Sequence, residues 1–91
     1  MSYNGYTNYE TWTARNWTDA DYESCKKWER LAASCLEERG TIEDATGALA
    51  SMMKDDAEEG APVLSGLYGD LLVNALAAID WHCVARSYYD N

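Results

Sequence analysis

The stretch Cys25-Lys26-Lys27-Trp28-Glu29-Arg30-Leu31-Ala32-Ala33-Ser34-Cys35-Leu36-Glu37-Glu38-Arg39-Gly40-Thr41-Ile42-Glu43-Asp44-Ala45 decides the fold. Cys25, Trp28, Ala32 and Cys35 step by three or four residues, with Leu31 and Leu36 at their flanks. That period places them on one stripe of an α-helix. Gly40 is suited to the left-handed residue that follows a helix. Thr41 then reads as the N-cap of the next helix, with Asp44 three residues on in place of the usual Glu or Gln of a capping box. Two helices joined by so short a turn run antiparallel.

The same reading extends in both directions. Residues 1–7 are polar and read as loose. Asn8 caps a first helix that opens with Tyr9-Glu10-Thr11 and runs to about Trp17. Thr18 or Asp19 caps the second helix, which runs to about Arg39. The third spans about 42–58, with Ile42, Ala45, Leu49, Met52 and Met53 as its stripe, and Gly60-Ala61-Pro62 stops it. The fourth carries Leu64, Leu67, Tyr68, Leu71, Leu72, Ala75, Leu76 and Ile79, the strongest apolar stripe of the chain. Asp80 caps a last helix from Trp81 to about Tyr89. No alternation of strand type persists. The expectation is an all-α fold, a compact single domain of four to five helices over residues 1–91, with Trp28, Leu49, Leu71, Leu72 and Leu76 in its core.

Composition narrows the function classes. Sixteen acidic residues stand against seven basic ones in 91 residues, a formal net charge of −9. Such a chain is repelled by nucleic acid and by anionic membranes, so direct binding to either is not expected. No run of residues is long and apolar enough to span a membrane. The start has neither a basic nor an apolar segment of a signal peptide. Cys25, Cys35 and Cys83 are odd in number and lack metal-site spacing, which argues against a disulfide framework and a zinc site. These features place the chain in the cytoplasm, without cofactor or metal.

Catalytic constellations are weak. His82, the single histidine, is adjacent to Cys83, and neighbouring helical side chains point about 100° apart, so the pair does not converge for nucleophilic catalysis. The paired carboxylates sit among other acids, without a Gly-rich loop or Ser–His–Asp set that would give them acid–base work. An enzyme is not expected. Met52-Met53 and the cysteines read as core filling.

The acids themselves are the sharper signal. Glu37-Glu38 and Asp55-Asp56-Ala57-Glu58-Glu59 fall near the C-terminal ends of two helices, where the macrodipole favours cations and each acid costs about 0.3–1 kcal/mol at low salt. Asp44 and Asp55 are eleven residues apart, close to three turns, and so share a face. A band of carboxylates along a rigid helix can imitate a phosphate backbone. The candidate partner-binding residues are therefore Glu37, Glu38, Asp44, Asp55, Asp56, Glu58 and Glu59, with exposed Tyr and Trp as anchors. The competing reading is that the acids only confer solubility.

The segment Asn8-Tyr9-Glu10-Thr11-Trp12, followed by Trp17, resembles small proteins of phages, plasmids and other mobile elements that carry an N-Y-E-T-W-N-x-x-x-W segment. Thr18-Asp19-Ala20-Asp21-Tyr22, Leu64-Ser65-Gly66-Leu67-Tyr68-Gly69-Asp70-Leu71-Leu72 and Ile79-Asp80-Trp81 are similar to their later parts. The chain departs from that pattern at Thr13, where Asn is usual, and at Asn16, where an apolar residue is usual. The resemblance implies a mobile-element context in which small acidic proteins antagonise host defence. The expected function is inhibition of a CRISPR effector or restriction enzyme, by occupying its basic nucleic-acid-binding surface as a DNA mimic. The alternative is a non-catalytic structural or regulatory protein, a homodimer through an aromatic patch, whose acids only keep it soluble.

Overall fold

A computed structural model describes residues 5–90. Its elements are α1 (Tyr9–Thr18), α2 (Tyr22–Arg39), α3 (Ile42–Gly60), α4 (Gly66–Ala78) and α5 (Trp81–Arg86). No strand occurs among the described residues, and the fold is all-α. Of the loose stretch read for residues 1–7, residues 1–4 lie outside the described part. Thr7 is tied down, since its hydroxyl donates to the Asp80 carboxylate at 2.8 Å.

The caps follow the local chemistry. The Asn8 side chain accepts from the Thr11 N–H, the Thr41 hydroxyl from the Asp44 N–H, and the Asp80 carboxylate from the Cys83 N–H. Each satisfies a donor that has no partner inside its own helix. Gly40 has φ 86°, and its N–H closes on the Leu36 carbonyl at 2.8 Å. The cap of α2 is Asp21, not Thr18 or Asp19. Thr18 instead ends α1, because its hydroxyl donates to the Arg15 carbonyl at 2.7 Å inside the last turn. At its other end α3 runs two residues beyond the expected stop, to Gly60.

The antiparallel pair α2 and α3 forms one wall of the core, and α5 packs on α3. Trp28, Ala32 and Cys35 from α2, Ala45, Leu49 and Met53 from α3, and Val84 and Ala85 from α5 are buried. Helix α1 lies against α5. Two expected members of the α3 stripe, Ile42 and Met52, are exposed, because they lie at the edges of the face that meets α2 and α5.

The core assignment fails at α4. No residue of that helix is buried: Leu71 is 54% exposed, while Leu72 and Leu76 are only half-buried. The physical reason is competition for the surface of α3. Val84 and Ala85, both with no exposed area, already cover α3, so the leucines of α4 do not enter the core they were expected to fill. What remains for α4 is a contact with α1. Its start is set by glycines. Gly66 has φ 64°, a left-handed conformation that costs other residues energy. A Cβ at Gly69 would collide with the Leu64 carbonyl, so only glycine lets the incoming strand of chain lie so close to the helix.

Candidate functional site

All seven candidate acids are exposed. They divide into two groups. Glu37 and Glu38 are in the last turn of α2 and Asp44 is in the first turn of α3, on either side of the Gly40–Thr41 turn. Asp55, Asp56, Glu58 and Glu59 occupy the last two turns of α3. The rise of an α-helix puts Asp44 and Asp55 roughly 16 Å apart along the axis. On α3, Asp44, Asp55, Glu58 and Glu59 share the side opposite Leu49 and Met53. Asp56 is turned away from them by about a quarter turn, toward α2. There it pairs with Lys27 at 3.4 Å. Among the described residues, none of the other six acids has an ion-pair partner.

The last turn of α3 contains no basic residue. The exposed carbonyls at that end and the four acids near it repel one another. In α2 the equivalent turn ends in Arg39, which offsets part of the charge of Glu37 and Glu38.

The aromatic motif near the N-terminus divides by role. Asn8 and Thr11 fasten α1 to the junction of α4 and α5. The Asn8 amide donates to the Ala78 carbonyl at 2.7 Å. The fully buried Thr11 hydroxyl donates to the Asn8 side-chain oxygen at 2.6 Å and accepts from the Asp80 N–H at 2.8 Å. The Thr7 hydroxyl and then the Cys83 N–H hold the Asp80 carboxyl below its ordinary range. A second fastening lies one turn or two further along α1. Arg15 lies over the Tyr88 ring at 4.2 Å, donates to Ser87 Oγ at 2.6 Å and pairs with Asp19 at 2.8 Å. Burial pushes the Tyr88 hydroxyl up to about 12, against the pull of Thr18 and Arg15.

Between α1, the first half of α2, the end of α3, the end of α4 and the start of α5 lies an apolar groove of about 600 Å³. Trp17, Trp28, Met53, Ala57, Leu76 and Trp81 are among the residues that line it, and Lys27 and Asp56 stand in its wall. Thr13 lines it too, and its buried hydroxyl has no hydrogen-bond partner among the described residues. The sequence reading did not find this groove. One signal for it was available: from Ala61 to Ile79 only Asp70 is charged, which is unusual for a helix that covers a core with one side only.

No family model, curated protein or solved structure matches this chain. The function is therefore read from the residues themselves.

The chemistry of the nucleophilic and ligating side chains is subdued. A hydrogen bond to Glu29 at 3.3 Å, first among its causes, pushes the Cys25 thiol up to about 11. Burial raises Cys35 as well. Both thiols are thus held in their less reactive, protonated form. His82 is exposed and Cys83 half-buried. Among the described residues, no three His, Cys, Asp or Glu side chains come together as a metal-binding group. No helix there is long and apolar enough to cross a membrane.

Proposed function

We propose that this chain is a non-catalytic binding protein that occupies a basic protein surface with the acidic outer side of α2 and α3. In its most specific form, the protein is a mobile-element inhibitor of a host defence system, in the cytoplasm of the host cell. The target surface is the nucleic-acid channel of a CRISPR effector or restriction enzyme. Competition is steric and electrostatic, and the acids take the positions of backbone phosphates. The observation that carries this reading is the state of the seven acids. All are exposed, and among the described residues six of them form no ion pair.

Such charges cost the free protein stability and gain it nothing within the fold. Opposite a basic channel the same charges become favourable and speed encounter. The roughly 16 Å between Asp44 and Asp55 is about half of a B-DNA helical turn, so one face of α3 presents charge over the length that a channel grips.

The experiment is capture of host nucleic-acid-binding proteins from lysate on the immobilised chain, eluted with a salt gradient. A chain with Asp55, Glu58 and Glu59 all changed to Lys serves as the control. Capture that salt releases and that charge reversal abolishes supports the proposal. Equal capture by both chains, or none by either, refutes it and leaves the acids as a solubility device.

A further inference from the structure

The groove beside α1 holds a carboxylate that the fold leaves without a counter-ion. Its charged wall residues are Glu10, Lys27 and Asp56. Lys27 and Asp56 pair with each other at 3.4 Å. Glu10 forms no ion pair and no side-chain hydrogen bond among the described residues. Its place in the first turn of α1 suits a negative charge but supplies no cation. Of the sixteen acids, Glu10 and Asp80 are half-buried and the rest are exposed. The Asp80 carboxyl accepts from the Thr7 hydroxyl and the Cys83 N–H. Glu10 alone among the described acids is both partly withdrawn from water and unpartnered.

The rest of the wall is aromatic and aliphatic. Glu10, Ala14 and Trp17 succeed one another on one face of α1, over about 10 Å of helix. The bonds from Asn8 to the Ala78 carbonyl and from the Asp80 N–H to Thr11 hold the first turn of α1 at the junction of α4 and α5. Ile79 and Trp81 belong to that junction and line the groove, so they stand at its Glu10 end. The other end already displays what such groups hold. There the Lys27 ammonium lies over the ring of the buried Trp28 at 4.7 Å, with the Asp56 carboxylate beside it. An aromatic face with a carboxylate in reach is how organic cations are recognised. At the Glu10 end the carboxylate and the rings recur without the cation.

Charge and size select the occupant. An anion is repelled by Glu10 and by the net charge of −9. A neutral apolar molecule would take the remaining water from an unpaired carboxylate, which costs free energy. A cation with an apolar body fills the groove and neutralises it at once. The volume of about 600 Å³ lies in the range of small-molecule sites.

We propose that the groove is a binding site for a small organic cation, an amine or quaternary ammonium on an apolar body. Glu10 is the counter-ion, and Trp17 and Trp81 pack against the body. This inference stands apart from the proposed function, since it uses none of the six unpaired acids on α2 and α3.

Titration calorimetry of the full chain at roughly 0.15 M salt tests it, with a naphthylmethyl-trimethylammonium ion as the probe. The expected result is one-to-one binding with a dissociation constant below about 1 mM. Chemical-shift changes on binding should gather at Glu10, Trp17, Leu76 and Ile79. The uncharged isostere, with carbon in place of the nitrogen, and naphthalenesulfonate should bind at least about tenfold more weakly. Glu10→Gln should weaken the cation about tenfold while far-UV circular dichroism stays helical. Trp17→Ala, at a position 72% exposed, should weaken the cation and the isostere alike. The triple change of Asp55, Glu58 and Glu59 to Lys should weaken the cation less than Glu10→Gln does, which separates a counter-ion in the groove from attraction by net charge. No binding up to about 1 mM overturns the proposal. So does equal affinity for the isostere, an unchanged affinity in Glu10→Gln, or shift changes gathered on the acids of α3. Tighter binding of a lysine amide than of the probe overturns it in favour of a protein side chain as occupant.

Discussion

Two threonines, two residues apart on α1, should respond to the same substitution with opposite signs. Thr11→Val removes a fully buried hydroxyl that donates to Asn8 and accepts from the Asp80 N–H. Valine keeps the shape, so the change isolates the hydrogen bonds. The Asp80 N–H loses its acceptor, at a cost of about 1–3 kcal/mol, and the bond to Asn8 contributes about 1 kcal/mol more. The expected loss is thus about 2–4 kcal/mol. For a domain of this size each kcal/mol moves Tm by about 4–8 °C, so the melt should fall by at least about 8 °C. Thr13→Val removes a buried hydroxyl that has no hydrogen-bond partner among the described residues. Its removal relieves a desolvation penalty, and stability should hold or rise by up to about 1 kcal/mol. Helix propensities of Thr and Val are similar enough not to decide either result. The assay is thermal unfolding by circular dichroism of the two variants and the parent, all at one protein concentration. Equal destabilisation by both changes would refute the assignment of Thr11 as the fastening between α1 and α5.

A parallel contrast tests the core. Leu49→Ala, at a position with no exposed area, should cost about 2–5 kcal/mol, while Leu67→Ala in dilute solution should cost under 1 kcal/mol, both read from urea unfolding. Changing Asp55, Glu58 and Glu59 to Lys should keep or raise Tm by easing the repulsion at the end of α3. Stopped-flow association with a basic target should then slow and lose much of its salt dependence. For Tyr88 the folded value lies above the unfolded value near 10, so the neutral ring stabilises the fold below pH 10. That contribution is lost as pH rises from about 10 to about 12. Urea midpoints should fall across this window, and less steeply in Tyr88→Phe.

The elements were legible in the sequence wherever a local rule governs them. Asn8, Thr41 and Asp80 cap helices because a short polar side chain followed by an N–H three residues on needs nothing from the rest of the fold. Gly40 is the same kind of local fact. Trp28, Leu49 and Met53 were legible because their stripe has a polar opposite side, which fixes the buried direction. The placement of α4 was not. A strong apolar stripe says that a helix should be covered, but not by what. Val84 and Ala85 supplied the missing cover on α3, and nothing in a six-residue segment advertised them over a run of leucines. Asp21 displaced Thr18 as a cap for a related reason, since Thr18 is drawn into α1 by its own backbone. The seven acids were read one by one from position along their helices, and all prove exposed. The groove escaped notice because it is assembled from five helices, none of which carries a distinctive motif for it.

The fastenings between the two ends of the chain also bear on how the protein is made. Asn8 reaches Ala78 and Thr11 reaches Asp80, across 70 and 69 residues of chain. At a synthesis rate of about 5–20 residues per second, α1 waits some 4–14 s after it forms before its anchor exists. During that interval α2 and α3 can already pair, because their turn is local and its closure costs little entropy. The nascent chain therefore carries a finished hairpin with its N-terminal arm unattached. That arm holds three aromatic residues, Tyr9, Trp12 and Trp17, which the ribosome exit region and any waiting chaperone meet before the protein's own last helix does. Translation of the segment from Ala78 onward, which carries the anchors of α1, is what turns the first helix from a tether into a wall.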